Sequence, residues 1–269
     1  MYRSRARWSS KIKWRISMRF SLFVATVGGA DQLQRFLTSV DAQTHRHFEL
    51  IVDQNSDDRG MLISASYQNK FPIHHLRTQE KGASRARKIG LRHVSGDVVA
   101  FPDDDCKYPA NLLAMVACIL DGRPKLDGVA VCSVDEEGRV SNGRLDERSG
   151  PINGSNVWAH AIEYTMVLRE QSVRGLRFDE RIGPRSRHAV GSRRRDRFSM
   201  QLLERGASLY YDAGLMVVHA SAVPPYDKRA LARAYSYGAG MGYVLKKHKR
   251  PIWSKASRLI RPLGERHCL

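Results

Sequence analysis

Two periods of apolar and polar residues alternate along the first half of the chain. Residues 20–26 (FSLFVAT) are almost continuously apolar, which predicts a strand buried on both faces. Val27, Gly28 and Gly29 supply the loop leaving its C-terminal end. Leu33, Phe36, Leu37 and Val40 then recur at i, i+3, i+4 and i+7, predicting a helix with Asp31 as its N-cap. Residues 48–52 predict a second strand ending at Asp53. A helix over 60–69, a short strand over 73–76 and a helix over 83–94 follow. Residues 98–101 form a strand that runs straight into Asp103, Asp104 and Asp105. Pro109 suits the first turn of the next helix, which carries Leu112, Leu113, Val116 and Leu120.

Strand and helix in regular alternation predict an α/β fold, a mixed but mainly parallel sheet with helices on both faces. Ligands of such sheets bind outside the carboxyl ends of the strands. Thr26, Asp53 and Asp103 stand at such ends, so three polar residues far apart in sequence should converge on one rim. The second half is more mixed, with strands near 127–133, 163–168 and 214–219 and a helix near 198–205. A basic, aromatic-containing helical tail covers roughly 227–247.

With 269 residues, 42% hydrophobic and 27% charged, the chain can bury a substantial core as a globular protein. No apolar run approaches the ~18–20 residues that a membrane-spanning helix needs. The basic N-terminus lacks the apolar stretch of a secretory signal. Cys106, Cys118, Cys132 and Cys268 show no C-x-x-C spacing, which points to reduced thiols in the cytoplasm. A net charge of +18 suggests nucleic acid or an anionic membrane as partner. Its distribution weakens that reading. Residues 1–17 carry six basic residues and no acid, and residues 184–197 carry six arginines against Asp196. These two segments hold more than half of the excess, and no recognition motif accompanies them, so no nucleic-acid partner is expected. Residues 1–17 read either as a disordered leader ahead of a true start at Met18 or as a membrane- or nucleic-acid-binding arm.

Three consecutive aspartates after an apolar strand repel one another and raise one another's pKa. A divalent cation resolves this, because carboxylate and phosphate oxygens are hard ligands for Mg²⁺ or Mn²⁺. The competing reading is a solvated acidic turn capping the next helix.

Five motifs occur in order: FVAT (23–26), SVDAQT (39–44), FELIVDQN (48–55), GASRARKIGL (82–91) and GDVVAFPDDDC (96–106). With them, residues 20–120 resemble the donor half of family-2 glycosyltransferases of the GT-A fold. The resemblance implies a nucleoside-diphosphate sugar donor, with Thr26, Asp53 and Gln54 on the base. It puts Asp103 towards the ribose, Asp104 in the same nucleotide-sugar site and Asp105 on the metal, with Asp103 as the other end of the D-x-D element. Gln54 stands where a second aspartate is common, which leaves the base open, since an amide both donates and accepts. Arg85 and Lys88 either favour the diphosphate electrostatically or form a solvated basic face; Lys88 replaces a common asparagine. Gly90 would let this helix pack closely.

The resemblance resumes at FDERIG (178–183), in the helix with Phe198, Leu202 and Leu203, and in YYDAGLMVVH (210–219). His219 at that last strand's end reads as a further metal or diphosphate ligand, or as a structural histidine. Between them it breaks. An inverting transferase needs a base to take the proton of the attacking hydroxyl, and related chains supply it from a W-G-S-G-E-E-T-D-F-like stretch. Residues 184–198 here read PRSRHAVGSRRRDRF, with Asp196 as the sole acid. One permitted coding of residues 183–198, shortened by a single C, translates as GPGAGTQWGRGEETD. A pair of compensating frame errors would therefore account for the loss, and resequencing the gene tests it. Otherwise the arginines form a phosphate-binding loop, or Asp196 acts as base from a neighbouring position.

The expected organisation is an extension (1–17), a GT-A domain (18–225, donor half 18–120 and acceptor half 121–225) and a basic helical tail (226–269). The expected function is metal-assisted, inverting transfer of a sugar to a hydroxyl of a glycan or lipid-linked acceptor. A cytoplasmic enzyme at the inner membrane face fits this. Tyr237, Met241, Tyr243 and Val244, alternating with Lys246, Lys247, Lys249 and Arg250, would rest on anionic lipid or pack on the domain. The alternatives are a catalytically impaired sugar-nucleotide-binding domain and, more remotely, a basic nucleic-acid-binding protein.

Overall fold

The computed structural model describes residues 18–54, 58–78, 83–141, 147–176 and 194–219, with isolated positions at 231, 235 and 246. The extension 1–17, residues 184–193 of the arginine-rich segment and the readings placed on the tail lie outside the described residues. Among the described residues no helix is long and apolar enough to cross a membrane.

Four strands, β1 (Phe20–Thr26), β2 (Phe48–Gln54), β3 (Ile73–Arg77) and β4 (Val98–Ala100), pair in parallel in the order β3-β2-β1-β4. Helices α1 (Ala30–Asp41), α2 (Arg59–Ala65) and α3 (Ala83–Gly90) connect them. The chain continues through β5 (Cys106–Lys107), α4 (Leu112–Asp121), β6 (Gly128–Val134), β7 (Gly150–Ile152) and α5 (Val157–His160). A 3-10 turn (Glu163–Thr165) then leads to β8 (Met166–Arg169), α6 (Glu170–Val173), α7 (Arg194–Glu204) and β9 (Leu209–His219). Beyond β4 the sheet is mixed: β8 lies antiparallel to β4 and β6, whereas β6 and β9 are parallel. The outer edge of β9 takes β7 at one end and β5 at the other, both antiparallel.

Alternation along β1 divides the core between the sheet's two faces. Phe20, Leu22 and Val24 pack with Leu33, Phe36, Leu37 and Val40 of α1 and with Leu113, Val116 and Leu120 of α4. Phe23 faces the other way, with Ala86 of α3, Phe101 and the α7 residues Phe198 and Leu202. Gly90 does allow close packing: a Cβ there would lie 2.1 Å from the Phe23 ring.

Several boundaries differ from the sequence reading. The N-cap of α1 is Gly29, whose carbonyl accepts from the Leu33 N–H at 2.8 Å, and not Asp31. Asp31 lies in the first turn instead, where its carboxylate favours the positive end of the helix dipole. Pro109 precedes α4 in a turn, outside the helix. Gln43 accounts for this, donating Nε2–H to the Pro109 carbonyl (2.8 Å) while its Oε1 accepts from the Leu113 N–H (3.2 Å). The helix read over 60–69 closes at Ala65 and α3 closes at Gly90, each continuing as turns. Residues 163–165 form the 3-10 turn rather than the start of a strand.

Candidate active site

The site is assembled by register. Ala25 pairs with Asp53 of β2 on one side and bridges to Asp103 on the other, and Thr26 pairs with Gln54. The carboxyl ends of β1 and β2 and the chain leaving β4 therefore share one rim, as anticipated. At Asp103 the chain turns, with the Cys106 N–H donating to the Asp103 carbonyl at 3.1 Å. The turn delivers β5, in which Cys106 pairs with His219 at the end of β9. Two residues from opposite halves of the chain thus meet at the aspartate run.

His219 Nε2 lies 3.1 Å from Asp105 Oδ1 and 3.8 Å from Asp103 Oδ2. One ligand atom from each of Asp103, Asp105 and His219 lies within 4.8 Å of the others, and all three residues are half-buried. Two carboxylate oxygens with one imidazole nitrogen suit Mn²⁺, which tolerates nitrogen better than Mg²⁺ does. The His219 ring stacks on Tyr164, with centroids 4.4 Å apart and planes at 16°.

Asp104 differs from its neighbours. Burial pushes its carboxyl above the ordinary carboxylate value; a hydrogen bond from Thr26 opposes this, and the charges of Asp105 and Asp103 reinforce it. A Cβ at position 29 would lie 2.8 Å from Asp104 Oδ2, so Gly29 is what lets the loop after β1 lie against this carboxylate. Thr26, 3% exposed, is thereby occupied within the protein.

Among the described residues, Arg87 brings a basic group to the aspartates. Its Nη2 is 3.4 Å from Asp103 Oδ1 and its Nη1 is 3.1 Å from Glu163 Oε2, with the Arg87 and Glu163 side chains both buried. Arg87, Glu163 and Tyr164 were not singled out in the sequence. A helical wheel would have found the first, because Arg87 lies four residues after Ala83 and three before Gly90, on the face against the sheet. Glu163 and Tyr164 carried no comparable signal. Lys88 is exposed. Asp53 and Gln54 sit in β2, Arg85 in α3 and Asp196 in α7, and their side chains lie outside what the structure describes. Phe198, two residues after Asp196, docks α7 edge-on to Phe101 with centroids 5.6 Å apart.

The profile of glycosyl transferase family 2 matches residues 21–173. An uncharacterized glycosyltransferase of Haemophilus influenzae is 25% identical over 122 residues, covering 44% of this chain and 41% of that protein. The chain spans less than half the length of the curated relatives it matches. Among solved structures, S. aureus TarS superposes with a TM-score of 0.66 at 18% identity, covering 76% of this chain and 37% of TarS. Residues 1–349 of TarS have also been solved with UDP-GlcNAc. The mannosyltransferase PcManGT of Pyrobaculum calidifontis, solved with GDP-Man and Mn²⁺, superposes with a TM-score of 0.65 at 18% identity. That match covers 96% of this chain and 80% of PcManGT. Both likenesses establish a GT-A-like fold.

Proposed function

Since the chain belongs to glycosyl transferase family 2, we propose that it moves a sugar from a nucleoside-diphosphate donor to a hydroxyl of a glycan or lipid-linked acceptor, with inversion. The observation that carries this is the Asp103–Asp105–His219 group at the carboxyl ends of the strands. The donor-bound TarS and PcManGT structures, one with UDP-GlcNAc and one with GDP-Man and Mn²⁺, support it by analogy of fold. In this reading Asp105, Asp103 and His219 hold Mn²⁺ or Mg²⁺. Bound there, the cation supplies positive charge to the departing diphosphate. Asp53 and Gln54 at the end of β2 face the base, Asp103 the ribose, and Arg85 the diphosphate. Asp104 and Thr26 shape the floor beneath the nucleotide. The basic tail would bring the enzyme to the inner membrane face, where lipid-linked acceptors lie.

A second reading rests on one observation: residues 184–198 offer Asp196 as their sole acid. With no base in place, the domain binds donor without transferring it. Calorimetric titration with UDP-, GDP- and dTDP-sugars, with and without Mn²⁺, followed by donor turnover, separates the two. Metal-dependent binding with turnover supports transfer, and binding alone supports the second reading. If Asp105→Asn leaves nucleotide-sugar binding unchanged, the proposed site is wrong.

A further inference from the structure

We propose that the 3-10 turn Glu163–Thr165 is a positioning element for the metal group, holding Asp103 through Arg87 and His219 through the Tyr164 ring. The inference rests on the reading that Asp103, Asp105 and His219 bind a cation, and it adds two residues that touch neither cation nor donor.

The geometry is that of a two-armed support. Three residues per turn set adjacent side chains about 120° apart, so neighbours in a 3-10 turn can reach one rim from two sides. In a strand, as the sequence pattern suggested here, Glu163 and Tyr164 would point to opposite faces. The turn is itself fixed, since both the Thr165 N–H (2.9 Å) and its hydroxyl (2.8 Å) donate to the Ile162 carbonyl.

On one arm, Glu163 and Arg87 are a buried ion pair that reaches Asp103. Burying both charges costs several kcal/mol that mutual attraction only partly offsets, so such a pair is a poor means of adding stability. It is a good means of dividing a guanidinium between two acids. With Glu163 present, Arg87 fixes Asp103 without neutralising it, and Asp103 keeps charge for a cation. On the other arm, the Tyr164 ring sets the plane of the His219 imidazole by stacking. The Tyr164 hydroxyl and Ser133 Oγ are 2.7 Å apart, and Ser133 Oγ is 2.7 Å from Ser141 Oγ, so the ring is anchored at its far end to β6. Groups that orient metal ligands from behind typically contribute ~10–100-fold to metal affinity.

The test is an electron paramagnetic resonance titration of Mn²⁺, alone and with saturating UDP or GDP, on the full chain. Metal-free thermal unfolding serves as the control for folding. Glu163→Gln and Tyr164→Leu should each weaken Mn²⁺ binding by about tenfold, while Tyr164→Phe, which keeps the ring, should stay within about threefold. Asp105→Asn should lose binding. If Glu163→Gln and Tyr164→Leu bind Mn²⁺ like the unaltered chain while Asp105→Asn does not, the turn is only structural and the metal reading stands. If Asp105→Asn also binds like the unaltered chain, the metal reading fails and takes this inference with it. Should Tyr164→Leu not fold, Glu163→Gln decides: a shift below about twofold overturns the proposal.

Discussion

Asp104 sits between two residues suited to a cation, yet its surroundings give it another task. Its carboxyl, pushed up by burial and by Asp105 and Asp103, faces Thr26 and the Gly29 backbone rather than the imidazole. A carboxyl whose pKa is raised on folding contributes stability below its unfolded value, and that contribution is lost as pH rises through the folded value. Above that folded value the charged form of Asp104 weakens the fold relative to a neutral side chain of the same shape. Asp104→Asn removes the charge while its Oδ1 can still accept from Thr26. The variant should gain about 1 kcal/mol at pH 7, with the gain shrinking towards pH 4. Calorimetric melts at both pH values check this, and a lower melting temperature at pH 7 would contradict it. The aspartates were legible because consecutive carboxylates imply hard-cation chemistry, and His219 through the family resemblance. What stayed hidden was the division of labour inside the run, since one-dimensional spacing does not say which carboxylate turns inward.

At the scale of elements, the opposite end of the sheet carries a polar network as closely built as the site. Glu49 in β2 is fully buried and accepts from the Ser21 hydroxyl, the Ser95 hydroxyl and the Ser95 N–H, with Arg19 at 2.7 Å. His74 of β3 approaches at 3.5 Å. Burial pushes this carboxyl up, but the hydrogen bonds from Ser21 and Ser95 and the charge of Arg19 outweigh it and leave the pKa lowered. A depressed carboxyl contributes stability above its unfolded pKa and loses it as pH falls through the folded value. Glu49→Gln puts an NH₂ among donors and should cost about 2–3 kcal/mol at pH 7. The gap to the unaltered chain should narrow as pH falls from the unfolded towards the lowered folded pKa of Glu49. Denaturant unfolding at pH 7 and pH 3.5 measures it, and a gap independent of pH would count against the network. This network ties β1 and β2, two elements the sequence made plain, to the Ser95-Gly96 segment, which it did not. Continuous apolar strands and the i, i+3, i+4, i+7 helix α1 were readable because burial on both faces leaves a periodic trace. β5 and β7, of two and three residues, are too short to leave one. The 3-10 turn was misread because Met166–Arg169 lent its apolar character to the residues before it.

Over the whole molecule, every described member of the site comes from outside the arginine-rich segment. Thr26, Arg87, Asp103, Asp104, Asp105, Glu163, Tyr164 and His219 stand on β1, α3, the turn after β4, the 3-10 turn and β9, elements tied into one sheet. Binding and turnover should therefore be separable. In the proposed reading the sheet rim holds nucleotide and metal, whereas transfer also needs a group to take the acceptor's proton, worth ~10²–10⁴ in rate where such a base is present. Replacing residues 185–197 with GAGTQWGRGEETD, the alternative-frame reading, restores two adjacent glutamates and an aspartate just before Phe198. Phe198 already docks α7 against Phe101, two residues ahead of Asp103. The replaced chain should bind nucleotide within about threefold of the original and hydrolyse or transfer donor at least ~100-fold faster. Equal turnover by the two chains would show that Asp196 or another group already serves as base. A loss of nucleotide binding on replacement would show that the arginines themselves grip the diphosphate.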